Sequence, residues 1–208
     1  MIVAFNIPIF PLPNVVLLPH TVLPLHIFEP RYKTMFSEVI ESANSKVGVA
    51  QLKPGWEGDY YGEPPVYRFI GVGKVKWCEK FEDGRFDLVL EGLSRAKILN
   101  EQISNGFRVA EAEIIEEYLP ADCQEEVEGM MRTLLPVFRK VITSLPETLE
   151  GMQPDSWSKP QAGVVADVLA KVFMENAYER QSILSELNIH RRLRLITIHL
   201  ESLLNPEI

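Results

Sequence analysis

The sequence predicts an α+β fold, with a β-rich part over residues 1–118 followed by an α-helical part over residues 119–208. Two observations predict it. In the first part, short runs of aliphatic and β-branched residues alternate with proline and glycine turns, as in sheets of short strands. After Pro120, apolar residues recur every three or four positions, which is the period of a helix face. Because the predicted strands carry one polar face, they favour a barrel or sandwich over a parallel sheet.

The first predicted strands surround a single helix. A turn at Pro19-His20 separates two aliphatic runs. Prolines near these runs confine them to sheet edges, strand starts or bends. Pro30 suits the first turn of a helix, where its missing N–H needs no partner, and Asn44 is a plausible end of that helix. The strands predicted here are residues 15–18, 22–27 and 47–52.

The next segment predicts a loop and then a series of antiparallel strands. Residues 53–65 hold three prolines and three glycines and are predicted to be a loop. Asp83-Gly84 lies between alternating runs, which is a strong hairpin signal, and we expect a positive φ at both residues. The strands predicted here are residues 66–81, 86–91, 95–99 and 107–115.

The second half is predicted to be helical. It opens with an acidic run over residues 111–128, which is a solvated face or hinge, or else a surface that attracts basic peptides. Pro136 is expected to kink or split the helix that contains it. Residues 146–160, with three prolines and a glycine, are predicted to be a connector. The helical stripes cover residues 127–145, 164–173, 180–187 and 193–203.

Composition argues against two classes of partner. The chain has 208 residues and a net charge of -8. An acidic protein lacks the cationic surface that gives general affinity for nucleic acid or for anionic lipid. The two cysteines, Cys78 and Cys123, form no disulfide framework or zinc motif, and we expect reduced thiols in a cytoplasmic protein. Five prolines in the uncharged first 28 residues argue against a signal peptide, and we expect no membrane span.

One segment carries a family resemblance. Residues 7–35 read IPIFPLPNVVLLPHTVLPLHIFEPRYKTM. This segment resembles the opening signature of the N-terminal, substrate-binding domain of Lon proteases. The resemblance covers nearly the whole chain. Further matching stretches are Gly71-Val72-Gly73, Asp83-Gly84-Arg85, Leu90 to Arg95, Asp167 to Ala170, Arg180 to Leu184, and Arg192-Leu193.

The resemblance implies a PUA-like β pseudo-barrel lobe followed by an α-helical bundle lobe. In Lon proteases this region engages substrates and helps to hold the hexamer, and ATPase and Ser-Lys protease modules follow it. The sequence has no phosphate-binding loop, since Gly73-Lys74 is followed by Val75 and Arg68 stands where the first glycine is needed. We therefore expect a stand-alone, non-catalytic form with no cofactor.

The most recognisable motif is assigned a structural role. It consists of Phe28, Glu29, Pro30, Arg31 and Tyr32. We expect Glu29 to cap the helix that opens at Pro30, near its positive end, and Arg31 and Tyr32 to brace this helix against the sheet. A catalytic reading of Glu29 and Arg31 lacks a nucleophile or a second carboxylate.

Two groups of residues are candidates for polypeptide binding. Apolar residues at predicted turns mark interaction surfaces when they are exposed, although the same residues can tuck under the sheet. Aromatic residues in the 53–65 loop can stack on an extended peptide or pin the loop down. The candidates are Leu18, Pro19, His20 and Phe81 in the turns, and Trp56, Tyr60 and Tyr61 in the loop.

The histidines form no metal-binding motif. His20 and His26, like His190 and His199, lack further ligands at suitable spacing.

The leading hypothesis is a module that binds unfolded polypeptides, or a protease or chaperone partner. RNA binding is an alternative, because PUA-like barrels in other families bind RNA, and Arg191 to Arg194 is the densest basic stretch. A second alternative is a small ligand in a cleft between the two lobes.

Overall fold

The computed structural model describes residues 4–144 and 153–204, and it confirms the α+β class. The strands are β1 (Ala4–Leu12), β2 (Val22–Ile27), β3 (Lys46–Gln51), β4 (Phe69–Lys80), β5 (Phe86–Ser104) and β6 (Phe107–Ile115). The α-helices are α1 (Pro30–Glu41), α2 (Gln124–Thr143), α3 (Ala162–Phe173), α4 (Ala177–Ser185) and α5 (Ile189–Leu204). In these two ranges, no helix combines the length and hydropathy that crossing a bilayer requires.

The sheet closes on itself. Its order is β2-β5-β4-β3-β1-β6, and an additional β5–β6 pairing joins the far end back to β5. Five strands therefore form a ring, and β2 lies beside β5 outside it. The β1–β3 pair is parallel, and the other pairs are antiparallel. The long β5 makes this closure possible, because it pairs with β4 and β6 as well as with β2.

Three strand predictions need correction. Residues 15–18 are not a strand but an irregular segment between β1 and β2. The two strands predicted over 86–91 and 95–99 are the single strand β5. A shift in register at Gly92 and Ser94, opposite Val72 and Gly73, bends this strand without ending it.

The two hairpin turns differ in their geometry. At the predicted Asp83-Gly84 hairpin, only Gly84 has a positive φ, of 80°. Phe81 donates its N–H to the oxygen of Arg85, which closes a three-residue loop instead of a two-residue one. The two-residue turn occurs between β5 and β6, where Asn105 and Gly106 have φ of 52° and 82°. This Asn-Gly signal was not used in the prediction.

The helical predictions largely agree with the structure. Helix α1 begins at Pro30 as expected and ends at Glu41, three residues before Asn44. Helix α2 continues through Pro136, so the expected split does not occur. Helix α4 begins earlier than predicted, where the side chain of Asn176 accepts a hydrogen bond from the N–H of Tyr178. Residues 145–152, which include part of the predicted connector, lie outside the described residues.

The irregular segment before β2 connects two of the three hydrophobic cores in the described residues. Leu17 packs in the core under α1 and the sheet. Val16 and Leu18 pack with the side chains of α2, α3, α4 and α5. The indole N–H of Trp157 also donates to the main-chain oxygen of His20, at 2.7 Å. A segment near the N-terminus therefore completes the helical core.

This segment lies directly on the sheet. Strands β4 and β5 have Gly71 and Gly92 beneath it, and a Cβ atom added at either glycine would overlap the carbonyl oxygen of Leu17 or Leu18. Gly92 also exchanges backbone hydrogen bonds with the segment, since its N–H donates to Thr21 and its oxygen accepts from His20. Glycine is needed because the two backbones approach too closely for a side chain.

A buried ion cluster joins the sheet to the helices. Arg95 of β5 contacts Asp167 of α3 at 2.5 Å and Glu117, which follows β6, at 3.2 Å. Arg192 of α5 contacts the same two carboxylates, with Asp167 at 2.8 Å. The Nε atom of Arg95 also donates to the main-chain oxygen of Leu184 at 3.1 Å. The side chains of Arg192 and Asp167 are fully buried, so water screens these pairs little.

We expect Gly92→Ala to destabilise the protein. The added methyl group must displace the backbone of Leu18, and overpacking of this kind costs about 1–3 kcal/mol. Gly58→Ala is the matched control, because nothing lies within 4 Å of its added Cβ. Chemical denaturation should give a lower unfolding free energy for Gly92→Ala only. Equal stability of the two variants would contradict the close approach of segment and sheet.

We expect Asp167→Asn to lower the unfolding free energy by about 3–5 kcal/mol, because it leaves two buried guanidinium groups short of negative charge. Asp83→Asn makes the same change in the exposed pair with Arg85 and should leave the urea unfolding midpoint unchanged. If Asp167→Asn unfolds at the same urea concentration as the parent, the cluster does not stabilise the junction.

Candidate polypeptide-binding surface

The Phe28–Tyr32 motif surrounds the start of α1. Pro30 is the first residue of the helix, and Glu29 precedes it. Glu29 occupies the predicted N-cap position, but its carboxylate makes no capping hydrogen bond. It instead accepts hydrogen bonds from the Tyr60 hydroxyl at 2.8 Å and from Nε of Arg31 at 3.2 Å. Tyr32 is buried, with its ring 4.5 Å from that of Phe10 on β1, as the bracing role requires.

Tyr60 attaches the 53–65 loop to this motif. Besides its bond to Glu29, its main-chain oxygen accepts a hydrogen bond from Arg31 at 3.3 Å. The Arg31 guanidinium lies 4.6 Å from the ring centre of Tyr32 and 5.6 Å from that of Tyr60. Burial, reinforced by the hydrogen bond to Glu29, raises the pKa of Tyr60 to about 12. The hydroxyl therefore stays protonated and able to donate at neutral pH.

Two aromatic side chains are exposed beside this anchor. Tyr61 is 85% exposed, and its ring lies 5.2 Å from that of Tyr60 in an edge-to-face arrangement. Phe28 is 61% exposed and stacks on His26, which is paired with Asp87 at 2.5 Å. The sequence predicts a structural role for Phe28, because sequence alone does not distinguish it from its buried neighbours. We refer to the exposed side chains of Phe28 and Tyr61, which adjoin Glu29 and Tyr60 in the sequence, as the aromatic surface.

Two other aromatic candidates are partly covered. Trp56 is half-buried and packs edge-to-face on Tyr60, at 5.8 Å. Phe81 at the hairpin tip is half-buried, and the Arg85 guanidinium lies 5.7 Å from its ring centre. Lys33 of α1 donates a hydrogen bond to the main-chain oxygen of Asp83 at the same tip. The hairpin tip is thereby held next to α1.

The turn at 18–20 is not an exposed apolar surface. Leu18 and Pro19 are buried, because the segment is enclosed between sheet and helices. They are therefore not available for contact with a polypeptide. His20 is half-buried, and burial lowers the pKa of its imidazole. It lines a cavity of about 340 Å³ together with Glu117 and Leu93.

The other polar candidates have ordinary structural partners. His190 is hydrogen-bonded to Glu126 at 2.7 Å, and His199 to the main-chain oxygen of Phe173 at 3.0 Å. Cys78 and Cys123 are both free, half-buried thiols. Over residues 4–144 and 153–204, no three His, Cys, Asp or Glu side chains converge as metal ligands would.

A larger cavity was not predicted. It has a volume of about 570 Å³ and lies at one open end of the closed sheet, beside the C-terminal end of α1. Residues of all five ring strands line it, so no local sequence pattern identifies it. It shares Leu93, Ser94 and Ile114 with the cavity beside His20. Leu93 and Ile114 are 37% and 47% exposed, and therefore present apolar surface at this opening.

Comparison with known proteins agrees with this fold. A family model described as the ATP-dependent protease La (LON) substrate-binding domain matches residues 6–202. The Lon protease of Dictyoglomus thermophilum is 27% identical over 194 residues, which are 93% of this chain and 24% of that protein. The Lon protease of Desulfosudis oleivorans is 26% identical over 192 residues, or 92% of this chain and 23% of that protein. The chain thus spans about a quarter of the length of these relatives.

Two solved structures have the same fold. The Lon N-terminal domain protein from Xanthomonas campestris aligns with a TM-score of 0.62 and 23% identity, over 93% of this chain and 98% of that one. The N-terminal domain of the Mycobacterium avium complex Lon protease aligns with a TM-score of 0.67 and 16% identity, over 94% and 97%. The chain belongs to the family of ATP-dependent protease La (Lon) substrate-binding domains.

Proposed function

We propose that this protein is a non-catalytic module that binds unfolded or partly folded polypeptides, or a protease or chaperone partner. The observation that carries the proposal is the aromatic surface, where Phe28 and Tyr61 are exposed next to a rigid hydrogen-bonded anchor. Aromatic side chains give much contact area for little loss of conformational freedom. The family to which the chain belongs is described as substrate-binding, which supports the same reading.

The proposal includes a division of the chain into two lobes. We propose that residues 1–118 form a PUA-like barrel lobe and residues 119–208 a helical lobe of one domain. The closed ring of strands supports this division, as does the helical core, to which residues 1–118 contribute Val16 and Leu18. A cytoplasmic location is also proposed, and the two free thiols suit a reducing compartment.

The structure weakens the support for RNA binding. The stretch from Arg191 to Arg194 was the densest basic run, but Arg192 is fully buried and paired with two carboxylates. Its charge is therefore compensated and is not available to phosphate groups. The net charge of -8 remains unfavourable for any polyanion.

We expect saturable binding of the protein to a fluorescently labelled, permanently unfolded polypeptide, followed by fluorescence anisotropy. An exposed apolar surface recognises side chains that a folded protein buries, so the folded form of the same polypeptide should not bind. The absence of binding to the unfolded form at high micromolar protein would refute the recognition of unfolded chains. Affinity capture of a specific folded partner would then be the next experiment.

We expect the double substitution Phe28→Ser and Tyr61→Ser to weaken this binding by about tenfold, a typical loss for exposed aromatic contacts. Tyr118→Ser is the matched control, because Tyr118 is 54% exposed and lies away from the aromatic surface, after β6. All variants should retain the parent's melting temperature. If the double variant binds as tightly as the control, the polypeptide contacts another surface.

A further inference from the structure

The large cavity has a strand edge along one wall. Phe5, Asn6, Ile7 and Pro8 of β1 all line it. Residues 4–9 of β1 pair with β6, whereas pairing with β3 is found only from Ile9 onward. In the part of the chain that the structure describes, residues 4–8 therefore have a strand neighbour on one side only. A closed ring of strands normally has no free edge, so this one is exceptional.

Pro8 explains why the β1–β3 ladder stops. A proline has no N–H and cannot continue a ladder of hydrogen bonds, which confines it to edges. Its carbonyl oxygen lies 3.7 Å from the position of a Cβ on Gly48 of β3, so Pro8 directs its backbone groups toward β3. The backbone amide groups of successive strand residues point to opposite sides of the strand. Asn6 lies two residues before Pro8, so its N–H points to the same side as the backbone groups of Pro8. At Asn6 the ladder with β3 has ended, and this N–H faces the cavity.

The cavity can accommodate a further strand. Its volume of about 570 Å³ lies within the range of ordinary ligand sites. The lining also includes the C-terminal end of α1 and the apolar side chains of Val39 and Val72. Leu93 and Ile114 continue this apolar surface into the neighbouring cavity. An added strand would thus find backbone groups on one side and apolar contacts below.

The charges around the opening favour a basic occupant. Glu116 lines the cavity beside His20 and has no ion pair or hydrogen bond with any residue that the structure describes. Glu38 and Lys46, at the α1 end, have opposite charges that cancel in the sum, and Glu38 accepts a hydrogen bond from Asn105. The charge of Glu117 is compensated by Arg95 and Arg192. Among the residues that line the two cavities, the charge of Glu116 is therefore left over.

We propose that this groove binds an extended, apolar polypeptide segment with a basic flanking residue, which adds to the free edge of β1 as an extra strand. Strand addition of this kind takes affinity from main-chain hydrogen bonds and specificity from alternate side chains. The proposal rests on the proposed polypeptide-binding function and names a second contact for the same polypeptide. The groove and the aromatic surface lie near opposite ends of α1, a helix of 12 residues that spans roughly 18 Å.

The experiment uses a fluorescein-labelled peptide of alternating valine and threonine with lysine at each end. A second peptide has the same side chains but N-methyl groups on every internal amide, which remove the hydrogen-bond donors along both edges. A third has glutamate in place of lysine. We expect the parent peptide to bind the full chain, and the methylated and glutamate peptides to bind about tenfold more weakly. The effect of glutamate should decrease as salt is added.

The protein variants are Asn6→Pro, which removes one N–H from the free edge, and Asn6→Ala, which keeps it. We expect about a tenfold loss of peptide binding for Asn6→Pro and none for Asn6→Ala. Both should melt like the parent protein, since proline is tolerated on an unpaired edge. Should Asn6→Pro fail to fold, the methylated peptide tests the same hydrogen bonds on the unmodified protein.

The outcomes separate this inference from the proposed function. In one outcome the protein binds the unfolded polypeptide and has equal affinities for the parent and methylated peptides. This outcome would overturn strand addition and leave the proposed binding of unfolded polypeptides intact. Failure to bind either the unfolded polypeptide or the peptides would overturn both. Analytical ultracentrifugation tests whether a second copy of the chain occupies the edge. A dimer that Asn6→Pro dissociates, but that the parent peptide does not dissociate, would show such an occupant. This result also overturns the proposal.

Discussion

The buried ion cluster of Arg95, Glu117, Asp167 and Arg192 is the constraint on which the arrangement of sheet and helices depends. Any one of these charges would be costly to bury alone, because the interior solvates it poorly. Together the two guanidinium groups and two carboxylates are neutral, and each carboxylate contacts both arginines. Since the partners come from β5, the segment after β6, α3 and α5, these ion pairs form in one relative placement of these elements. Apolar contacts alone would tolerate small displacements of the helices along the sheet, whereas the ion pairs do not.

The most recognisable sequence motif has an architectural role with functional consequences. Glu29 and Arg31 are both hydrogen-bonded to Tyr60, so the charged groups of the motif hold the 53–65 loop in place. That loop carries Tyr61, the most exposed aromatic side chain in the described residues. Because the loop is already fixed, Tyr61 loses less conformational entropy when a partner binds. In the proposed function, the motif therefore acts on recognition indirectly, through the position that it gives to Tyr61.

Local patterns predicted those parts of the molecule that are specified locally. The β2 strand, the start of α1 at Pro30, β6 and the helical stripes all follow from periodicity and proline placement. The continuity of β5 was missed because a bulge near Gly92 resembles a strand end when only composition is considered. The burial of Leu18 was left open, since it depends on helices more than a hundred residues away. The ion cluster and the large cavity draw residues from across the chain, and no spacing rule brings them together.

The position of the first strand has a consequence for how the chain folds as it is made. β1 pairs with β3 and β6, and the following segment fills a core with α2 to α5, which are synthesised after it. Contacts of such high sequence separation form slowly, and domains emerge from synthesis with the N-terminal end first. The apolar side chains of this segment therefore stay in water until α5 has been synthesised. During that interval this protein is itself an unfolded chain of the kind that quality control recognises.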